Sequence, residues 1–378
     1  MTPLISTLAD LVRLNSVNPA YNDGGNEANV LPLLRDFFRS RGIETFEQEV
    51  FPGRSNFIAR LPGQTHRRLV LEAHTDTVSI KNMTIAPFDP AIEEGRMHGR
   101  GAVDDKAGVA AMMHALASIK ADGITPICEV WFAAVVDEEF TYRGVVKLCE
   151  GLQAEAAIVA EPTELRAVIA SKGVLRLRIT TNGKAAHSSK PHMGVNAISH
   201  MSRLVLALEE EHHRLMTQTH PLLGAPTLSV GVINGGVQVN FVPDVCSIEV
   251  DRRLLPGESA ETVIAHLQLL LDKLKTAHEG FDAIIEMPPL LVDEALSTPA
   301  DIHLVRCAQD VLRDLGLNSA PCGVPFGSDA SKLSRAGIPT IIFGPGSIDQ
   351  AHAADEYVEL DQVEQAAAFY RRFILNYS

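Results

Sequence analysis

Arg68-Leu69-Val70-Leu71-Glu72-Ala73-His74-Thr75-Asp76 is a short apolar run that ends in a histidine and an aspartate. Runs of this length, rich in Val, Leu and Ile, mark strands buried on both faces of a sheet. The same arrangement recurs. Ile127 to Val136 runs into Asp137-Glu138-Glu139, Ala156 to Ala160 runs into Glu161, and Ile338 to Phe343 stands just ahead of a loop carrying His352. Gly99-Arg100-Gly101-Ala102-Val103-Asp104-Asp105 leads into a helical stretch from Lys106 to Ile119. Imidazole and carboxylate groups on loops at one edge of a sheet, far apart in sequence but converging in space, are a ligand set for divalent cations.

Outward from these strands, the N-terminal part alternates helical and strand periods, as an α/β sandwich does. Leu4 to Leu14 and Asn26 to Arg41 carry apolar residues at helical spacing, Gly42 stops the second, and Ser55 to Leu61 is a further buried strand. After Lys172-Gly173 the texture changes. Val174 to Thr181 alternates apolar and polar residues, the pattern of a strand with one face in water. A helix from Val195 to about Met216 follows, then strands around Leu228 to Val232 and Val245 to Arg253, a helix from Ser259 to about Ala277, and a strand near Ala283 to Met287. That order, β-α-β-β-α-β, is a ferredoxin-like unit able to fold as an insertion. We therefore expect an α/β chain: an α/β/α sandwich over 1–173 and 288–378, interrupted by a ferredoxin-like α+β domain over 174–287.

Bulk composition narrows the partners. A chain of 378 residues is expected to form two domains. A formal charge of -14 disfavours nucleic acid and anionic membrane surfaces, both of which demand a positive face. No stretch approaches the roughly 20 apolar residues that cross a bilayer, and the first residues lack a basic segment ahead of an apolar run. Cys128, Cys149, Cys246, Cys307 and Cys322 are irregularly spaced and form no CxxC pair. They read as reduced thiols of a cytoplasmic protein, not as staples or thiolate ligands.

Taken singly, the site residues are ambiguous. Asp104 at a helix start is also a capping position, and His187 in Ala-His-Ser-Ser is also an ordinary loop residue. Taken together, His-Thr-Asp at 74–76, GRGAVDDKAG at 99–108, DEE at 137–139, EPT at 161–163 and HAADE at 352–356 resemble, in order, the signatures of the aminoacylase, carboxypeptidase and acetylornithine deacetylase family of di-zinc metallohydrolases. GKAAHSSKPHMGVNAI at 183–198, INGGVQVNFVPD at 233–244 and DRRLLPG at 251–257 extend that resemblance into the inserted domain.

The resemblance implies two Zn2+ ions, with Co2+ as a possible substitute. Asp104 would bridge them, His74 and Glu161 would complete one, and Glu139 and His352 the other. Asp76 would orient the His74 ring, and a cis peptide would follow Asp104. Glu138 would be the general base, a role requiring a carboxyl whose pKa its surroundings tune. Because adjacent residues of an extended backbone face opposite ways, an irregular turn after Val136 must bring Glu138 and Glu139 into one site. His187 would reach from one subunit into the other's site to steady an oxyanion, making activity depend on a homodimer formed through the inserted domain.

Arg252 and Arg253 project to opposite sides of their strand, and the family pattern selects Arg253 as the clamp for a substrate carboxylate. Asn240, Gly327 and Ser328 match positions lining the substrate pocket, Ser328 standing where threonine is more usual. The loop Phe343-Gly344-Pro345-Gly346-Ser347-Ile348-Asp349-Gln350-Ala351-His352 looks more like that of acetylornithine deacetylases than that of succinyl-diaminopimelate desuccinylases. The implied reaction is hydrolysis of an N-acyl amino acid, with N-acetylornithine as the leading substrate, in arginine biosynthesis. The alternatives are a desuccinylase, a dipeptidase or carboxypeptidase with the same metal chemistry, and a metal-binding dimer without catalysis.

Overall fold

The computed structural model describes all 378 residues, which divide into two compact units. The first comprises Met1–Ile169, Thr298–Cys322 and Ser328–Ser378, and the second Ala170–Ser297 and Gly323–Gly327.

In the first unit, four neighbouring strands run parallel in the order Glu129–Val135, Arg68–His74, Ala156–Val159, Thr340–Ile342. Arg54–Leu61 and then Glu44–Phe51 add antiparallel strands beside Glu129–Val135. The central strands are buried along nearly their whole length because helices cover both faces. On one face Pro3–Val12, Leu31–Arg39, Lys106–Ala121, His303–Asp314 and Leu360–Asn376 share a core with Leu69, Leu71, Phe57 and Phe132. Arg143–Cys149 and Ala330–Arg335 pack on the other face. Phe38 lies against both Phe57 and Phe132, with ring centroids 5.9 and 5.4 Å away.

The helix expected over Asn26 to Arg41 is interrupted. Glu27–Asn29 forms a single 3-10 turn, and the α-helix begins afresh at Leu31. Pro32 explains the break: it has no N–H to give to the preceding turn, and its ring excludes a carbonyl four residues earlier, so it is tolerated only in a helix's first turn.

The second unit holds an antiparallel sheet in the order Thr227–Gly235, Val245–Leu254, Gly173–Asn182, Asp282–Ile285. Gly173–Asn182 and Val245–Leu254 alternate along most of their length. Leu175, Leu177, Ile179, Ile248 and Val250 are buried under Ala197–Leu215 and Ala260–Ala277, while the intervening residues face outward. Ser259 and Thr262 form a reciprocal capping box that starts the second helix. The β-α-β-β-α-β order read from the sequence is present. A two-stranded ribbon that the sequence did not disclose pairs Ala186–His187 with Phe241–Val242. No helix of the chain is long and apolar enough to cross a membrane.

Candidate metal centre

Parallel strands deliver their C-terminal ends to one edge, where side chains of the following loops meet. Here His74 ends one strand, Asp137-Glu138-Glu139 follows the next, Glu161 follows the third, and the loop after Thr340–Ile342 reaches His352. Asp104 comes from the segment just ahead of Lys106–Ala121 and is followed by a cis peptide to Asp105. Ligand atoms of His74, Asp104 and Glu161 lie within 4.8 Å of one another, as do those of Asp104, Glu139 and His352. Asp104 belongs to both sets. Its Oδ1 is 2.9 Å from His74 Nε2 and its Oδ2 is 3.3 Å from His352 Nε2, so each oxygen faces one imidazole. His352 Nε2 is also 3.1 Å from Glu139 Oε1.

This region concentrates negative charge in the interior. Burial pushes the carboxyls of Glu138, Glu161, Asp105 and Asp329 well up, and that of Glu72 to about 8. The negative charge of Glu72 adds to the rise at Asp329. Partial burial opposes a charge on His352, whose ring stays half exposed, yet its hydrogen bonds to Asp104 and Glu139 outweigh that and hold it at about 11; Asp104 acts likewise on the buried His74. Burial opposes the charge on Asp104 too, but the two imidazoles hold its carboxyl below the usual range. In the metal-free protein, protonated imidazoles thus sit where positive charge is required. The donor set, two imidazole nitrogens among carboxylate oxygens, fits a pair of divalent ions that keep coordination positions open.

Glu138 and Glu139 both enter the site because the backbone turns at Asp137, which adopts a left-handed φ of 70°. Asp76 holds this turn. Its Oδ1 accepts from the Glu138 N–H and its Oδ2 from the Glu139 N–H, each at 3.1 Å. The expectation that Asp76 orients His74 therefore takes a different form. The ring's Nδ1 lies 3.0 Å from the Asp76 main-chain oxygen, while the carboxylate is 3.7 Å away and occupied with the glutamate turn.

Glu356, within HAADE, also supports the site. Buried, and bound to Arg100 Nη1 at 2.6 Å, it accepts from the backbone N–H groups of Val103 and Asp104, fixing the loop that carries Asp104. Gly108 must lack a side chain, since a Cβ there would lie 2.4 Å from Asp105 Oδ1 and 2.5 Å from Ala160 Cβ. Ser328 is buried in the same unit, just ahead of Asp329.

The remaining expected residues belong to the second unit. His187 is exposed on the short ribbon, its Nδ1 2.8 Å from Ser189 Oγ. The Asn240 carbonyl accepts from the Ser188 N–H at 3.0 Å. A Cβ at Gly327 would meet Asp293 Oδ2 at 2.0 Å. Arg252 points into the helix-covered core and pairs with Glu258, whereas Arg253 lies on the opposite face with Asp251 at 2.8 Å. The strand thus leaves Arg253, not Arg252, as the guanidinium outside the core.

The sequence profile of peptidase family M20/M25/M40 matches residues 70–376. A fold of parallel strands edged by ligand-bearing loops defines a metallopeptidase-like hydrolase. The chain belongs to family M20/M25/M40, and it is a hydrolytic enzyme acting on amide bonds. It is 30% identical over 378 residues to a peptidase M20 domain-containing protein of Schizosaccharomyces pombe, covering 98% of this chain and 84% of that relative. It is 31% identical to the acetylornithine deacetylase of Vibrio vulnificus, covering 96% and 93% of the two chains. The structure of a tripeptidase from Staphylococcus aureus superposes with a TM-score of 0.82 at 24% identity, covering 99% of this chain and 97% of that one.

Proposed function

We propose that the protein is a two-zinc deacylase of N-acyl amino acids, acting on N-acetylornithine to give ornithine and acetate in arginine biosynthesis in the cytoplasm. Co2+ is expected to substitute for Zn2+. The observation that carries the metal reading is the Asp104 carboxylate, which presents one oxygen to each of two histidines. His74, Asp104 and Glu161 would hold one ion, and Asp104, Glu139 and His352 the other. When bound, the pair supplies Lewis acidity that polarises the scissile carbonyl and eases ionisation of water.

Glu138 moves the proton. Buried beside His74 and Glu139 but assigned to neither ion, it has its pKa held up by burial, so it takes a proton from the attacking water and releases it to the departing amine nitrogen. Asp76 keeps Glu138 in place through the backbone. Arg253, outside its core, receives the substrate's carboxylate, with Asn240, Gly327 and Ser328 lining the pocket. The domain over 174–287 serves as lid and dimerisation module, and His187 steadies the oxyanion in the partner subunit's site. Support for the acetylated substrate comes from the acetylornithine deacetylases at about 30% identity.

A panel of N-acetylornithine, other N-acetylated amino acids, N-succinyl-diaminopimelate and dipeptides, assayed with the Zn2+-loaded protein, tests this. Fastest release of acetate from N-acetylornithine is expected. Faster cleavage of the succinylated substrate or of dipeptides would replace this substrate with theirs.

A further inference from the structure

A hydrogen-bonded chain runs from the edge of the first unit's sheet to the turn that carries Glu138 and Glu139. Arg54, at the start of Arg54–Leu61, grips buried Glu27 with Nε at 3.0 Å and with Nη2, and its Nη2 also reaches Asp137 Oδ1 at 3.0 Å. Asn18 stands next. Its single amide nitrogen donates to Asp137 Oδ1 at 3.1 Å and to Asp76 Oδ2 at 2.8 Å, so both of its hydrogens join two carboxylates. Its own Oδ1 accepts from the Ala20 N–H, which fixes the amide's orientation. Asp137 receives a further hydrogen bond from Thr141 Oγ1, and its carbonyl accepts from the Tyr142 N–H at 2.7 Å. Asp76 then holds the N–H groups of Glu138 and Glu139.

We propose that Asn18 and Arg54 are positioning residues of the metal centre. Two carboxylates, Asp76 and Asp137, lie on either side of the turn and would repel each other without the amide between them and the guanidinium behind. Asn18 and Arg54 neutralise that repulsion and lock the left-handed residue Asp137, which aims Glu138 at the reacting water and Glu139 at its ion. Neither touches substrate or metal; both act through the two aspartates. The inference rests on the roles given above to Glu138 and Glu139.

The variants Asn18→Asp, which keeps the shape but removes both donors, and Arg54→Gln test it in the Zn2+-loaded enzyme. Arg60→Gln is the control. It removes a guanidinium bound to Glu129 at 2.6 Å on the same sheet but unconnected to the turn. Outer partners of metal sites alter affinity or activity by about 10- to 100-fold, so Asn18→Asp and Arg54→Gln are each expected to lower kcat by about that factor. KM should stay within about threefold, and Zn2+ should bind about tenfold more weakly by calorimetry. Arg60→Gln should change neither.

Wild-type kcat and Zn2+ affinity in both site variants, whatever their melting temperatures, would overturn the proposal. If Arg54→Gln does not fold, Asn18→Asp and Glu27→Gln decide. If the wild-type enzyme hydrolyses no N-acyl amino acid, the substrate reading fails, and Zn2+ affinity alone still judges the positioning role.

Discussion

Charged side chains follow opposite rules in the two units. On the open face of the second unit's sheet, Arg176 meets Asp251 at 3.0 Å, Arg178 meets Glu249 at 2.6 Å and Arg253 meets Asp251 at 2.8 Å, all partly in water. At the strand ends of the first unit, Glu72, Asp104, Asp105, Glu138, Glu161 and Asp329 are buried around two imidazoles. Exposed pairs cost little to form and contribute little. Buried carboxylates are costly unless positive charge joins them. The interior acids therefore describe a deficit that divalent ions fill, whereas the surface pairs describe a solvated face.

The sharpest break of this contrast is Glu138→Gln. It removes the proposed proton carrier while leaving the proposed ligands His74, Asp104, Glu139, Glu161 and His352 intact, so two metals per chain should remain by elemental analysis while kcat falls about 10²- to 10⁴-fold. Near-normal turnover would remove Glu138 as the base.

Metal removal and pH come next in size. Glu72 is held near 8 by burial against an ordinary value of 4.5, and Glu138, Glu161, Asp105 and Asp329 are raised in the same direction. A carboxyl whose folded pKa lies above its unfolded one keeps its full stabilising share below the unfolded value and loses it as pH rises through the folded value. His352, raised to about 11, has the same sign. The metal-free protein should therefore melt at progressively lower temperature from about pH 5 to about pH 8. Divalent ions compete with these protons, so the rise in melting temperature on adding Zn2+ should grow over the same range. A metal-induced rise that shrinks with pH would contradict the assignment of Glu161 and His352 to the ion site.

Much of this was legible in the sequence, because a buried strand that stops at an acid or histidine is a local pattern. His74, Glu139 and Glu161 each follow such a run, and the alternation of Val174 to Thr181 disclosed the second sheet. The rest depended on partners distant in the chain. Asn18 acquires its role from Asp76 and Asp137, 58 and 119 residues away, and Arg54 from Asp137, 83 residues away. Nothing in Ser16-Val17-Asn18-Pro19 alone reveals that convergence. Glu72 carries no local signal: it is a single acid inside an apolar strand, and only its interaction with Asp329, far away in the chain, ties it to the acid cluster. Pro32 was visible throughout, and its position in the first turn of a helix was the reading to give it.

The smallest effect lies on the other side of the comparison. Arg178 sits on the second sheet's open face between Glu249, at 2.6 Å, and Glu286, at 3.8 Å, with its side chain 41% exposed. Water solvates all three groups whether or not they touch, salt screens what attraction remains, and holding a long side chain in one geometry offsets part of the gain. Arg178→Gln should therefore shift the melting temperature by less than about 2 °C, within the range of substitutions that remove an exposed pair. The shift should shrink further in 0.5 M salt, roughly as a Debye length of a few ångströms requires. A larger loss that persists in salt would mean that this face is covered in the working protein, and that its charges obey the interior rule.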